Sequence, residues 1–93
     1  MKRTRLLISG RVQGVCYRAE TWRHARRLQL TGWVRNLRDG RVEAVFEGHG
    51  EDVETMVSWC KKGPSLATVT DIEIVDEPLS GHTTEFIIRH EGA

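Results

Sequence analysis

Residues 32–46, with the sequence GWVRNLRDGRVEAVF, decide the fold because they predict two β-strands joined by a tight turn. Residues 32–36 and 42–46 alternate, or nearly alternate, between apolar and polar side chains, a period typical of strands. Asp39-Gly40 lies between them and indicates a hairpin turn, since glycine adopts a positive φ without steric cost. The segment therefore predicts a β-hairpin in the middle of the chain.

Amphipathic segments on both sides of the hairpin predict two helices. Before it, from Arg18 to about Leu28, apolar residues recur at every third position and define one stripe: Ala19, Trp22, Ala25 and Leu28. After it, apolar residues follow the spacing i, i+3, i+4 and i+7: Val53, Met56, Val57 and Cys60. The sequence Lys61-Lys62-Gly63-Pro64 predicts the end of the second helix.

Three further segments predict strands. They are Thr4 to Ser9, Val69 to Val75, and Glu85 to Arg89, the last with Phe86 and Ile88 on one face. The resulting order is β-α-β-β-α-β with an extra C-terminal strand. This order predicts an α+β, ferredoxin-like split β-α-β fold, in which an antiparallel sheet carries both helices on one face.

The predicted strand directions bring distant residues to one edge of that sheet. The loop after the first strand, Asn36 at the end of the second strand and Cys60 near the end of the second helix all meet there. A site built from distant residues is expected at this edge. Cys16 and Cys60 would both lie close to it, either as two buried thiols or as a pair able to form a reversible disulfide.

Length and composition exclude several classes of protein. A chain of 93 residues with 39% hydrophobic and 29% charged residues predicts one domain over residues 1–93. No apolar run is longer than that of Leu6 to Ile8, which is far shorter than the ~18 residues of a membrane span and shorter than the core of a signal peptide. We therefore expect no membrane association. Two cysteines do not make a disulfide framework, so the expected compartment is the cytoplasm.

The charges are divided unevenly along the chain. Residues 1–41 hold 11 Lys and Arg against 2 Asp and Glu, a net charge of +9, whereas residues 42–93 hold 3 against 11, a net charge of −8. A basic N-terminal half indicates an anionic partner, either nucleic acid or a phosphorylated small molecule. The alternative is that the two halves attract each other in the fold.

The segment from Gly10 to Arg18, GRVQGVCYR, connects the first strand to the first helix. Its two glycines allow the backbone to curl so that several N–H groups converge on an anion, and the helix N-terminus adds favourable potential there. Arg18 at the helix start has a planar guanidinium able to bind two phosphate oxygens. The spacing matches neither a nucleotide P-loop nor a dinucleotide-binding motif.

This segment resembles the signature of the acylphosphatase family. Residues 32–43, GWVRNLRDGRVE, and residues 63–69, GPSLATV, are similar to two further stretches of that family. The likeness spans nearly the whole chain, from about Leu6 to Arg89. The resemblance implies a monomeric hydrolase that splits the carboxyl–phosphate bond of small acyl phosphates without a metal or other cofactor. Met1 and the short tail favour a standalone enzyme over a domain of a larger maturation enzyme.

The resemblance also implies residue roles. Arg18 matches the family's phosphate-binding arginine, and Asn36 matches the asparagine that orients the attacking water. The phosphate-binding loop then consists of Arg11, Val12, Gln13, Gly14, Val15, Cys16 and Tyr17. Tyr17 stands where many members carry Phe, a change we expect to be tolerated. Inorganic phosphate is expected as product and inhibitor.

The main alternative is an RNA-binding or other anion-binding module, because the same element order serves such domains. An RNA reader of this fold needs exposed aromatic side chains on its central strands, where only Phe46 is available. We therefore expect no nucleic-acid partner.

Two other residue types are interpreted structurally. The scattered histidines, which show no metal-ligand spacing, are interpreted as surface residues: His24, His49, His82 and His90. Trp22, on the stripe of the first helix, is interpreted as a core residue, and Trp33 as a sheet-packing residue in preference to a contact near the site.

Overall fold

The computed structural model describes residues 1–81 and 83–90, so His82 lies outside the described part of the chain. The helices and strands follow one another in the predicted order: β1 (Lys2–Arg11), α1 (Tyr17–Arg27), β2 (Thr31–Asn36), β3 (Val42–Gly48), α2 (Gly50–Lys62), β4 (Thr68–Glu77) and β5 (Phe86–Ile88). Neither helix in the described residues has the length and apolar character needed to cross a membrane.

The five strands form one sheet with the order β4-β1-β3-β2-β5. Strands β1 to β4 pair antiparallel, as predicted. Strand β5, however, pairs in parallel with β2, so the sheet is mixed. The chain leaves β4 at one edge and crosses to the opposite edge before β5, a path that no local sequence signal determines.

One face of the sheet carries both helices and the hydrophobic core. Helix α1 packs on β2 and β5, and α2 packs on β1, β3 and β4. In register, Leu6 and Val34 both face Ala44 of β3, and all three side chains are fully buried. The buried face of α2 consists of Val53, Met56 and Cys60, three of the four residues of the predicted stripe, and the fourth, Val57, is partly buried against the core.

The buried face of α1 differs from the predicted stripe. Tyr17, Thr21 and Ala25 are buried, while Ala19 is exposed and Trp22 is 37% exposed beneath the Arg26 guanidinium. The interpretation of Trp22 as a core residue is therefore wrong. The predicted stripe has a constant step of three residues, which moves steadily around a helix that has 3.6 residues per turn. The buried residues are four positions apart, a step that stays closer to one face of the helix.

The opposite face of the sheet joins the two oppositely charged halves of the chain. Arg3 pairs with Glu47 at 3.1 Å, Arg5 with Glu43 at 2.8 Å, and Arg35 with Glu43 at 2.7 Å. Part of the charge asymmetry therefore serves the fold itself. Arg18, on the other hand, forms no ion pair with any residue that the structure describes.

Candidate active site

A cavity of about 200 Å³ lies where β1 and β2 end, at the predicted edge of the sheet. Its lining includes Gly14 and Cys16 from the loop, Arg18 from the first turn of α1, and Asn36 from the end of β2. The fold thus brings Asn36 together with residues that lie 18 to 22 positions earlier in the sequence. Val12 and Tyr17 also contribute to the lining.

The backbone of the loop curls toward this cavity. Gly14 has a φ of 74° and Cys16 a φ of 65°, both in the left-handed region, which is uncommon for a residue such as cysteine. The first backbone hydrogen bond at the start of α1 runs from the Glu20 N–H to the Cys16 carbonyl at 3.1 Å. The N–H groups of residues 17–19 precede it and have no partner within the helix. Such a turn before a helix N-terminus is suited to binding an anion.

The remaining loop residues hold the loop in place. The side chains of Val12 and Val15 are buried in the core. The Gln13 amide donates hydrogen bonds to the carbonyl oxygens of Leu37 at 2.7 Å and Arg41 at 2.9 Å, which fastens the loop to the β2–β3 hairpin. Arg11 lies exposed at the end of β1.

Tyr17 fixes the start of α1 against the end of α2. Its ring is buried, and burial raises the pKa of its hydroxyl. The ring packs against Gly63, where an added Cβ would lie 2.7 Å from the Tyr17 Cε2 atom. Gly63 also has a φ of 71°, so the position requires glycine for two independent reasons.

Asn36 carries an unusual polar atom. Its Oδ1 is buried and has no hydrogen-bond partner among the described residues. Most buried polar atoms in folded proteins are hydrogen-bonded, so an unpartnered one on a residue that lines a cavity is a candidate contact for a ligand. Arg18, on the same wall, supplies positive charge.

Three residues of the cavity lining were not predicted as site residues: Ala19, which follows Arg18 in α1, Ile88 and His90. Ile88 and His90 reach it because β5 lies parallel to β2, with Ile88 opposite Val34. His90 is exposed, as expected for a surface histidine, but it also forms part of the cavity wall. The pairing of β5 with β2 creates this proximity, and the local sequence holds no signal for it.

The other histidines and the cysteines lie in different environments. His49 is exposed, whereas the ring of His24 contacts that of Trp59 in a tilted arrangement, with ring centroids 4.5 Å apart. Burial, followed by the charge of Arg27, lowers the pKa of His24. Both cysteines are free thiols, and Cys16 is exposed, so the expectation of two buried thiols holds only for Cys60. No group of three or more potential metal ligands occurs among residues 1–81 and 83–90.

The open face of the sheet does not provide stacking platforms on its central strands. Phe46 is fully buried in the core, and the ion pairs of Arg3 and Arg5 occupy the other face. Trp33 of β2 is half-buried, with the guanidinium of Arg35 at 5.2 Å and that of Arg89 at 4.7 Å from its ring centre. Trp33 therefore packs against arginine side chains.

The family model described as Acylphosphatase matches residues 4–88. The chain belongs to the acylphosphatase family. An acylphosphatase of Methylococcus capsulatus is 52% identical over 91 residues, which cover 98% of this chain and 99% of that protein. An acylphosphatase of Rubrobacter xylanophilus is 52% identical over 88 residues, covering 95% of this chain and 80% of that protein.

The solved structures agree with the sequence relatives. The crystal structure of acylphosphatase from Bacillus subtilis superposes with a TM-score of 0.91 at 35% identity, covering 96% of this chain and 99% of that chain. The predicted family, the ferredoxin-like α+β fold and the enzyme class are confirmed. Acyl phosphate as substrate and phosphate as product follow from membership of the acylphosphatase family.

Proposed function

We propose that residues 1–93 act as one monomeric, cytoplasmic domain that hydrolyses small acyl phosphates without a metal ion. Arg18 and the loop from Arg11 to Tyr17 bind the phosphoryl group, and Asn36 orients the attacking water. The observation that carries this proposal is the shared cavity of Arg18 and the buried, unpartnered Oδ1 of Asn36 at the N-terminus of α1.

The phosphate-binding role rests on charge and on backbone geometry. Phosphoryl transfer passes through a loose transition state whose charge spreads over the equatorial oxygens, so donors placed around those oxygens lower the barrier. Arg18 has no competing ion pair in the described chain, and the N–H groups of residues 17–19 have no partner within the helix. Each such donor contributes on the order of 10²- to 10³-fold in rate.

The role of Asn36 follows from the chemistry of an amide. Its Oδ1 accepts a hydrogen bond from water and thereby aims a lone pair of the water at phosphorus. An amide does not accept a proton at neutral pH, so the proton passes to a phosphate oxygen of the substrate. A bond forms between the water oxygen and phosphorus, the bond from phosphorus to the carboxyl oxygen breaks, and the carboxylate leaves with the electron pair. A carboxylate is a weak base and leaves without a general acid.

The decisive experiment measures phosphate release from acetyl phosphate and benzoyl phosphate by the purified protein, with and without EDTA. We expect catalysed hydrolysis of at least one substrate, equal rates in both conditions, and competitive inhibition by inorganic phosphate. A rate that falls with EDTA and returns with a divalent metal would contradict the mechanism. Absence of catalysed hydrolysis of both substrates would contradict the function.

A further inference from the structure

A second cavity, of about 540 Å³, opens between the start of α1 and the end of α2. Its apolar lining consists of Val15, Trp59, Pro64 and Leu66. Leu66 is 68% exposed, an unusual amount for a large apolar side chain on a cavity rim. Polar side chains also line it, those of Glu20, His24, Lys62 and Ser65. A mainly apolar cavity with a few polar groups at its rim is typical of small-molecule sites.

This second cavity adjoins the phosphate cavity. Cys16 lines both of them, and Val15, its neighbour in the loop, lines the second. Tyr17, which lines the first cavity, and Trp59, which lines the second, contact each other with ring centroids 5.6 Å apart.

The two cavities lie on opposite sides of the loop. Asn36 and His90 lie toward the β5 edge, where α1 packs on β2 and β5. Trp59 belongs to α2, which packs on β1, β3 and β4, and residues 63–66 lead from α2 into β4 at the other edge. In an in-line displacement the leaving oxygen departs on the side of phosphorus opposite the attacking water. The water on Asn36 therefore directs the acyl group toward the second cavity.

We propose that the second cavity is the acyl-group subsite, in which Trp59 and Leu66 cover the body of an aromatic or branched acyl group beyond Cys16. The inference rests on the proposed function, and it adds a substrate preference to it. A benzoyl ring offers far more apolar surface to this lining than an acetyl group does, so its burial there is worth more. The enzyme thus gains transition-state binding energy from larger apolar acyl groups and not from acetyl phosphate.

The test compares kcat/KM for benzoyl phosphate and acetyl phosphate in matched variants. Leu66→Ser and Trp59→Leu alter the lining of the second cavity. Leu79→Ser and Trp22→Leu remove equivalent side chains that are 53% and 37% exposed and lie outside both cavities. Because Leu66 is exposed, its substitution leaves the core intact and decides the question even if Trp59→Leu fails to fold.

We expect the benzoyl-to-acetyl ratio of kcat/KM to fall about fivefold in Leu66→Ser, since part of the apolar area covered by the ring is lost. The ratio should fall at least as far in Trp59→Leu and stay at the wild-type value in both controls. An unchanged ratio in Leu66→Ser, or an equal fall in Leu79→Ser, would overturn the subsite. Wild-type protein that hydrolyses neither substrate would instead overturn the proposed function, and the subsite with it.

Discussion

The hydroxyl of Tyr17 donates a hydrogen bond of 2.6 Å to the main-chain carbonyl oxygen of Cys60. Within α2, that carbonyl would normally accept from the N–H of the residue four positions later, which is Pro64 and has no N–H. The Tyr17 hydroxyl therefore satisfies a carbonyl that the helix leaves without a partner. It also links the loop from Arg11 to Tyr17 to the end of α2.

Replacing Tyr17 by Phe tests this link. We expect Tyr17→Phe to lower the free energy of unfolding by about 1–1.5 kcal/mol, because a buried carbonyl loses its hydrogen bond while the ring remains. Urea denaturation measures this change. The kcat for acetyl phosphate should stay within about twofold of wild type, because the backbone N–H groups of the loop keep their positions. Unchanged stability would show that the hydrogen bond contributes nothing.

Arg18 is expected to be indispensable for phosphate binding. Arg18→Ala should lower kcat/KM by about 10³-fold or more and abolish inhibition by inorganic phosphate, because the cavity loses its guanidinium. Arg18→Lys should recover little, since an ammonium group does not replace a two-pronged donor. Arg27→Ala removes the same charge from an exposed position of α1 and serves as the control. Activity of Arg18→Ala within a few-fold of this control would refute the assignment.

Substitution of Asn36 is expected to lower turnover without weakening phosphate binding. Asn36→Ala should lower kcat by about 10²- to 10³-fold, because the water loses its orienting acceptor. The inhibition constant of phosphate should stay within about twofold of wild type. Thermal unfolding should not shift downward, because the substitution removes a buried oxygen that has no partner in the described chain. A loss of phosphate affinity as large as the loss of kcat would make Asn36 a substrate ligand instead.

The carboxylate of Glu47 is expected to make the free energy of unfolding depend on pH in the acidic range. The backbone N–H of Ser80 donates to its Oε1 at 3.1 Å, and together with the Arg3 guanidinium it holds the pKa of Glu47 below its ordinary value. A carboxylate whose pKa is lower in the folded than in the unfolded state stabilises the fold at pH values above its unfolded-state pKa. This stabilisation is lost as the pH falls through the folded-state pKa. The unfolding free energy of wild type should therefore fall more between pH 7 and about pH 3 than that of Glu47→Gln. Glu54→Gln, on the exposed face of α2, should follow wild type.

The two thiols are expected to differ in reactivity. Burial raises the pKa of the Cys60 thiol to about 12, whereas Cys16 is exposed. An aromatic disulfide reagent should modify one thiol per native chain and the second only in denaturant, because the thiolate is the reactive form. Cys16→Ser should lose the fast reaction and Cys60→Ser should keep it. Formation of a Cys16–Cys60 bridge in native protein under oxidant would contradict the protection of Cys60.

The sequence by itself determined the elements whose cause is local. The turn at Asp39-Gly40 is held by a hydrogen bond from the Arg41 N–H to the Asp39 carboxylate at 3.0 Å, between residues two positions apart. The stripe of α2 matched its buried face because its spacing follows the helical period. The two stretches that contain Arg18 and Asn36, residues 10–18 and 32–43, likewise indicated the family from the sequence alone, because each resembles the acylphosphatase family.

Only the tertiary structure decided which segments lie side by side. The three residues of β5 carry too little pattern to specify a partner strand, so their parallel pairing with β2, and hence the position of His90, emerged from the fold. Trp22 faces outward because the packing of α1 on β2 and β5 selects the face that begins at Tyr17. The bond from Tyr17 to Cys60 spans 43 positions of sequence. The spacing in α2 indicated which residues are buried, whereas the buried face of α1 and the contacts between distant residues depend on how separate elements pack.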